Sequence, residues 1–133
     1  MRLRVIVAAE WKVLAPVDRR GRCGVLEVLS ALEFADKVAH DEVVTLLARI
    51  PALGPPRDPR RSRYLGGSVY ELKTTNGWRL FYFFDRGRII VCAELRRKPK
   101  GRELRMIVLQ ARELRARYLA ARDANDIVEE TDA

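Results

Sequence analysis

The sequence predicts an α+β domain. A curved antiparallel sheet, made of an N-terminal strand plus a three-stranded meander, packs against a two-helix hairpin, with a C-terminal helix closing the fold. Three observations predict it. Apolar residues recur at helical spacing in two successive stretches between Val25 and Ile50. Three β-rich runs then follow one another between Ser68 and Leu95, parted by Asn76-Gly77 and Arg86-Gly87. A last amphipathic stretch begins after Gly101. A chain of 133 residues can bury one core of moderate size and has no room for two enzyme domains around a cleft. With 48% hydrophobic and 33% charged residues, it lacks the composition of a disordered chain.

Taken in order, residues 3–14 alternate loosely and carry Val5, Ile6, Val7, Trp11 and Val13, so they predict one strand. Pro16 to Gly24 is a turn region. Val25, Leu26, Val28, Leu29 and Leu32 follow helical spacing. A second helix fits Ala35 to Ile50, with Val43, Leu46, Leu47 and Ile50 on one face, a bend near Phe34-Ala35-Asp36 and Pro51 as its stop. Residues 51–67, rich in Pro, Gly and Arg, form a connector. The meander follows: Ser68 to Thr74, Trp78 to Asp85, and Arg88 to Leu95. Residues 96–101 make a basic loop, and the final helix carries Leu104, Ile107, Val108, Ala111, Leu114 and Tyr118 on one face, with Arg105, Arg112 and Arg115 away from it. One domain therefore spans residues 1–122. Residues 123–133, with five acids and no base, are expected to fray.

Charge narrows the function classes. The formal net charge is +8. Between Arg86 and Arg117 there are eleven basic residues and three acidic ones, so that quarter of the chain carries the whole excess. Such a field attracts phosphate backbones. Arginine outnumbers lysine 21 to 5, and arginine both grips phosphate with two donors and stacks on bases. Two cysteines, Cys23 and Cys92, make neither a metal cage nor a disulfide framework. No metal site and no cofactor motif is expected. The opening residues are too soon charged for a signal peptide, and no apolar stretch is long enough for a membrane span. The expectation is a soluble protein of a reducing, cytoplasmic compartment with no membrane partner.

The motif order resembles the RelE/ParE toxin superfamily, in particular its phage-related HigB-like branch. The resemblance is carried by Val69-Tyr70-Glu71-Leu72-Lys73, Trp78-Arg79-Leu80-Phe81-Tyr82-Phe83-Phe84, Arg88-Ile89-Ile90-Val91, Leu95-Arg96-Arg97-Lys98-Pro99, and the helix with Ala111, Arg112 and Tyr118. It covers roughly residues 3–120. Lys73 stands where that branch has arginine, and the basic loop is shorter and lacks its threonines. The resemblance implies a RelE-like fold and a toxin of a type II toxin–antitoxin pair. RelE- and HigB-like members cleave mRNA on the ribosome, whereas ParE-like members poison DNA gyrase without cutting RNA. A non-catalytic nucleic-acid-binding member of the fold is a third class. The implied partners are a helix-turn-helix antitoxin, mRNA and the ribosome.

Cleavage by a neighbouring 2′-hydroxyl needs a group to move its proton, charge to neutralise the crowded phosphate, and an acid for the leaving oxygen. The single histidine, His40, belongs to a helix surface. What the chain offers is arginine and lysine, suited to metal-independent chemistry dominated by charge. A strict two-residue Asn76-Gly77 turn would send Lys73 and Arg79 to opposite faces. A three-residue loop with Gly77 left-handed pairs them directly. That register gathers Glu71, Lys73 and Arg79 on one face and Tyr70, Leu72, Trp78, Leu80, Tyr82 and Phe84 on the other. The predicted catalytic set is then Lys73, which moves the proton, Arg79 and Arg97, which hold phosphate charge, and Glu71 as a second base or an ion-pair partner. Arg96, Lys98, Lys100, Arg102 and Arg88 are expected to bind the RNA backbone. No tyrosine or histidine follows Arg97 closely enough to act as the acid, and Tyr118, Tyr70 and Tyr82 are assigned to the core.

Overall fold

The computed structural model describes residues 1–131. Its elements are strands β1 (Arg2–Ala8) and β2 (Lys12–Pro16), helices α1 (Gly24–Ala35) and α2 (Lys37–Leu53), strands β3 (Ser62–Tyr64), β4 (Tyr70–Lys73), β5 (Trp78–Asp85) and β6 (Ile89–Arg97), helix α3 (Gly101–Asp123) and strand β7 (Val128–Glu130). The α+β class is as expected. The sheet is larger than expected, with seven strands in the order β3-β4-β5-β6-β2-β1-β7.

It is also mixed and not purely antiparallel. The single N-terminal strand predicted over residues 3–14 is a hairpin: β1 and β2 pair antiparallel, with a bulge between Val5 and Val7, around a tight turn in which the Ala9 amide donates to the Trp11 carbonyl. β2 then joins the meander in parallel, Val13 opposite Ile90. β7 runs parallel to β1. The fraying expected from Asp123 onward is corrected over Val128–Glu130. That strand is held by Lys12–Glu129 at 2.9 Å and Arg2–Glu130 at 2.5 Å, so its acids face cations of the first two strands. Residues 132 and 133 of the predicted tail lie outside the described residues.

The sheet has a helical layer on each face. On one face α1 and α2 bury Val25, Leu29, Val43, Leu46, Leu47 and Ile50 against Val13, Leu72, Leu80, Tyr82, Ile90, Cys92 and Leu95. On the other, α3 buries Leu114 and Tyr118 against Leu3, Leu14, Phe83 and Val91. Successive strand positions alternate between the layers, and the alternation shifts by one at the bulges in β1 and β6. The bend between α1 and α2 falls at Asp36, whose side chain accepts the Ala39 amide at 3.2 Å as an N-cap. Pro51 does not stop α2, which runs on to Leu53. Pro51 lacks the amide that would bond back to Leu47, but it is buried and its carbonyl accepts the Trp11 amide at 2.9 Å, so tertiary contacts hold the last turn. The connector is also corrected, since it contains β3, paired with β4. Among the described residues no helix is long and apolar enough to cross a membrane.

Candidate nucleic-acid interface

The meander register puts Lys73 opposite Arg79 and Glu71 opposite Phe81. Thr74 and Gly77 make the loop that sets this register. The Thr74 amide donates to the Trp78 carbonyl at 2.9 Å, and Gly77 sits at φ +86°, a conformation that L side chains rarely adopt. Glu71, Lys73 and Arg79 therefore share one face, as the polar and apolar pattern demands. The next strand on each side extends the pattern. Arg63 of β3 lies opposite Glu71, and Arg96 of β6 lies opposite Arg79.

Glu71 is 1% exposed, the only fully buried charged side chain among the described residues. One of its oxygens, Oε1, serves three cations. Arg79 donates to it through Nη1 at 3.1 Å, Arg63 Nη2 lies at 3.4 Å, and Lys73 Nζ at 3.9 Å. The arginine at position 79 is the most firmly held, and the lysine is the least. A carboxylate is tolerated at this depth only when paired. Three cations over one carboxylate leave a local excess of two positive charges. Arg79 also has a buried Nε with no partner. Arg96 adds little to that excess, because Glu94 at 2.8 Å and Glu103 at 3.3 Å already hold it. The bond from Glu94 is the main cause that raises the Arg96 pKa.

Arg97 is not part of this cluster. It pairs with Trp78 and belongs to the opposite sheet face. Its predicted place beside Arg79 is taken by Arg96, because β6 runs two residues past Leu95 and side chains alternate along it. Lys98 is a turn residue at φ +44°; its amide donates to the Gly77 carbonyl at 2.7 Å, and its side chain lies over Gly77. Lys100 and Arg102 are exposed at the start of α3. Arg88 is not gathered at all. It stands at the far turn of the meander, paired with Glu10 at 3.5 Å, a strand length of roughly 23 Å from Trp78. The predicted loop over residues 96–101 shortens accordingly to Lys98–Lys100.

Two residues escaped the sequence argument. Arg63 lies in a strand too short and polar to announce itself. Arg115, assigned to the outer side of the last helix, has a buried and unpartnered Nε. Its spacing could have shown this, since it follows Ala111 by four and precedes Tyr118 by three.

The tyrosines fall as expected. Tyr118 is 2% exposed and donates to Asp85 Oδ2 at 2.7 Å. Burial first, then that bond, pushes its hydroxyl pKa up. Asp85 is held below the usual carboxylate range: burial opposes this, but Tyr118, the Arg86 amide and Arg122 outweigh it. Tyr82 is buried, and its hydroxyl shares a hydrogen bond with Ser62 at 2.8 Å. His40 sits on α2 beside Asp41 at 3.0 Å.

The charged cluster shares its sheet face with α3: Glu71 is enclosed, and the side chains of Lys73 and Arg79 are 29% and 26% exposed. A concavity of about 1150 Å³ between α1 and α3 is lined by none of Arg63, Glu71, Lys73 or Arg79. Cations spread along neighbouring strands suit an extended polymer better than a small molecule. Among the described residues no group of three or more His, Cys, Asp or Glu side chains is placed to hold a metal ion. Compared with protein-family models, curated proteins and solved structures, the chain matches none.

Proposed function

We propose that this protein acts on RNA from the sheet face that carries Glu71, Lys73 and Arg79, as a cytoplasmic toxin resembling the ribosome-dependent mRNA endonucleases of the RelE/HigB type. The observation that carries the proposal is the direct pairing of Lys73 with Arg79 above the buried Glu71. Arg79 and Arg63 hold a phosphodiester through charge. Lys73, loosest on Glu71, is the group able to leave it and move a proton. Glu71 is too deep to reach a 2′-hydroxyl. It is a positioning residue that sets the two cations, not a base. The proposed partners are mRNA, the ribosome and a helix-turn-helix antitoxin that covers this face.

Binding without cleavage is the second reading, and two placements favour it. Arg97 belongs to the other face, which removes one of the two cations first assigned to the phosphate. Tyr82 and Tyr118 are buried with their hydroxyls already engaged, which leaves neither of them to protonate a leaving oxygen.

The test is purified protein added to translating ribosomes, wild type beside Arg79→Ala. Codon-phased cuts by wild type, reduced at least a hundredfold in Arg79→Ala, support the nuclease. Inhibition of DNA supercoiling without cuts supports a gyrase-directed toxin. Full growth arrest by a folded Arg79→Ala variant removes the catalytic assignment.

A further inference from the structure

The segment leading into β3 carries chemistry that the sheet face does not use. Arg57, Arg60, Arg61 and Arg63 are exposed within seven residues, against the single acid Asp58. Asp58 is occupied locally: it accepts the Arg60 amide at 3.0 Å and pairs with Arg60 Nε at 3.3 Å. Among the described residues Arg57 and Arg61 make no ion pair. Three prolines, Pro55, Pro56 and Pro59, restrict the loop that presents them. Arg63 continues inward to Glu71 at 3.4 Å, so the loop and the sheet-face cluster form one cationic track.

The same edge strand holds an aromatic ring on its other face, because Tyr64 lies opposite Tyr70 and side chains alternate. Tyr64 is 58% exposed although it belongs to a strand. The ring is nevertheless fixed: its hydroxyl accepts the Ser68 amide at 3.1 Å, and its inner side rests on Tyr70 at 5.0 Å between centroids. Tyr70 in turn stacks on Tyr82 at 5.7 Å. A ring held from behind and bare in front is a platform for a flat partner. It needs no ordering when that partner arrives.

We propose that the β3 edge, from Arg57 to Tyr64, is a binding track for single-stranded RNA that wraps around this edge strand, with Arg57, Arg61 and Arg63 on its phosphates and Tyr64, on the other face, stacking on a base. The track rests on the RNA reading above and extends it: it feeds the strand to the sheet face through Arg63. Duplexes do not fit, because their bases are not free to lie on Tyr64. An acidic protein would use the arginines and leave the ring without a role.

The experiment is equilibrium anisotropy with a fluorescein-labelled, 2′-O-methyl single-stranded RNA, which binds but offers no 2′-hydroxyl for cleavage. A duplex of the same sequence and polyglutamate serve as competitors. Tyr64→Ala is expected to weaken binding roughly ten- to hundredfold, and Tyr64→Phe to restore most of it. Arg57→Ala with Arg61→Ala is expected to lower the slope of log affinity against log salt by about 1.4, near 0.7 for each lost contact. Wild-type affinity in Tyr64→Ala, equal competition by duplex or polyglutamate, or no binding by wild type overturns the track. Binding that falls in Arg79→Ala but not in Tyr64→Ala also overturns it while leaving the sheet-face reading standing. The ribosome assay decides that reading separately.

Discussion

Glu71 concentrates the physics of the candidate site in one oxygen atom. Its three partners repel one another and are held together only by that carboxylate. Glu71→Gln keeps the shape and removes the charge. It is expected to destabilise the fold by about 1–2 kcal/mol, less than the 3–5 of a fully enclosed pair because Arg63 is half exposed and water screens it. Thermal melts check this, and the loss should shrink in high salt. Asp85 gives a second prediction. Its folded pKa lies below the unfolded value, so its contribution is present above about pH 4 and disappears as pH falls through the folded value. Tyr118 is the reverse case. Its raised pKa keeps its contribution whole below about pH 10 and loses it as pH climbs beyond. Asp85→Asn should therefore melt lower than wild type at pH 7 and converge with it in acid, read by melting temperature against pH. The pairing of Lys73 with Arg79 was legible because only the bulged loop separated polar from apolar positions. The side of Arg97 was not, because residues 96 and 97 read as loop and loops carry no parity.

Among the elements, the β4–β5 hairpin is specified most locally. Gly77 at φ +86° sets the register, and a Cβ there would meet the Lys98 side chain at 2.6 Å. Gly77→Ala should cost about 1 kcal/mol or more and lower the melting temperature by several degrees. The elements that the sequence hid share a physical reason. β3 and β7 have three residues each, too short for periodicity to register, and they are strands only because a neighbour offers an edge. The β1–β2 turn has no Gly, Pro, Asn or Asp, so nothing local marks a reversal at Ala8 to Trp11. Pro51 was misjudged by rule: proline disfavours a helix beyond its first turn, but here burial and the Trp11 amide on its carbonyl carry the helix two residues further.

For the whole molecule, the strand order depends on pairings between distant segments, which no local pattern encodes. β7 is the clearest instance. Its acids read as a solvated tail until Arg2, Arg4 and Lys12 are placed opposite them. Besides closing the sheet, β7 covers the outer edge of β1. A chain stopped after Asp126 should melt several degrees lower and self-associate with rising concentration, since a bare strand edge recruits others. Light scattering across a dilution series checks this. The parallel seam between β2 and β6 has a kinetic consequence. It spans three residue pairs, and both helices of the hairpin and strands β3, β4 and β5 lie between its two sides in the chain. Closing so large a loop is slow. The meander, built from neighbours, should acquire amide protection early in refolding, while the amides of Lys12 and Leu14, which face β6, remain open to exchange until the final docking step.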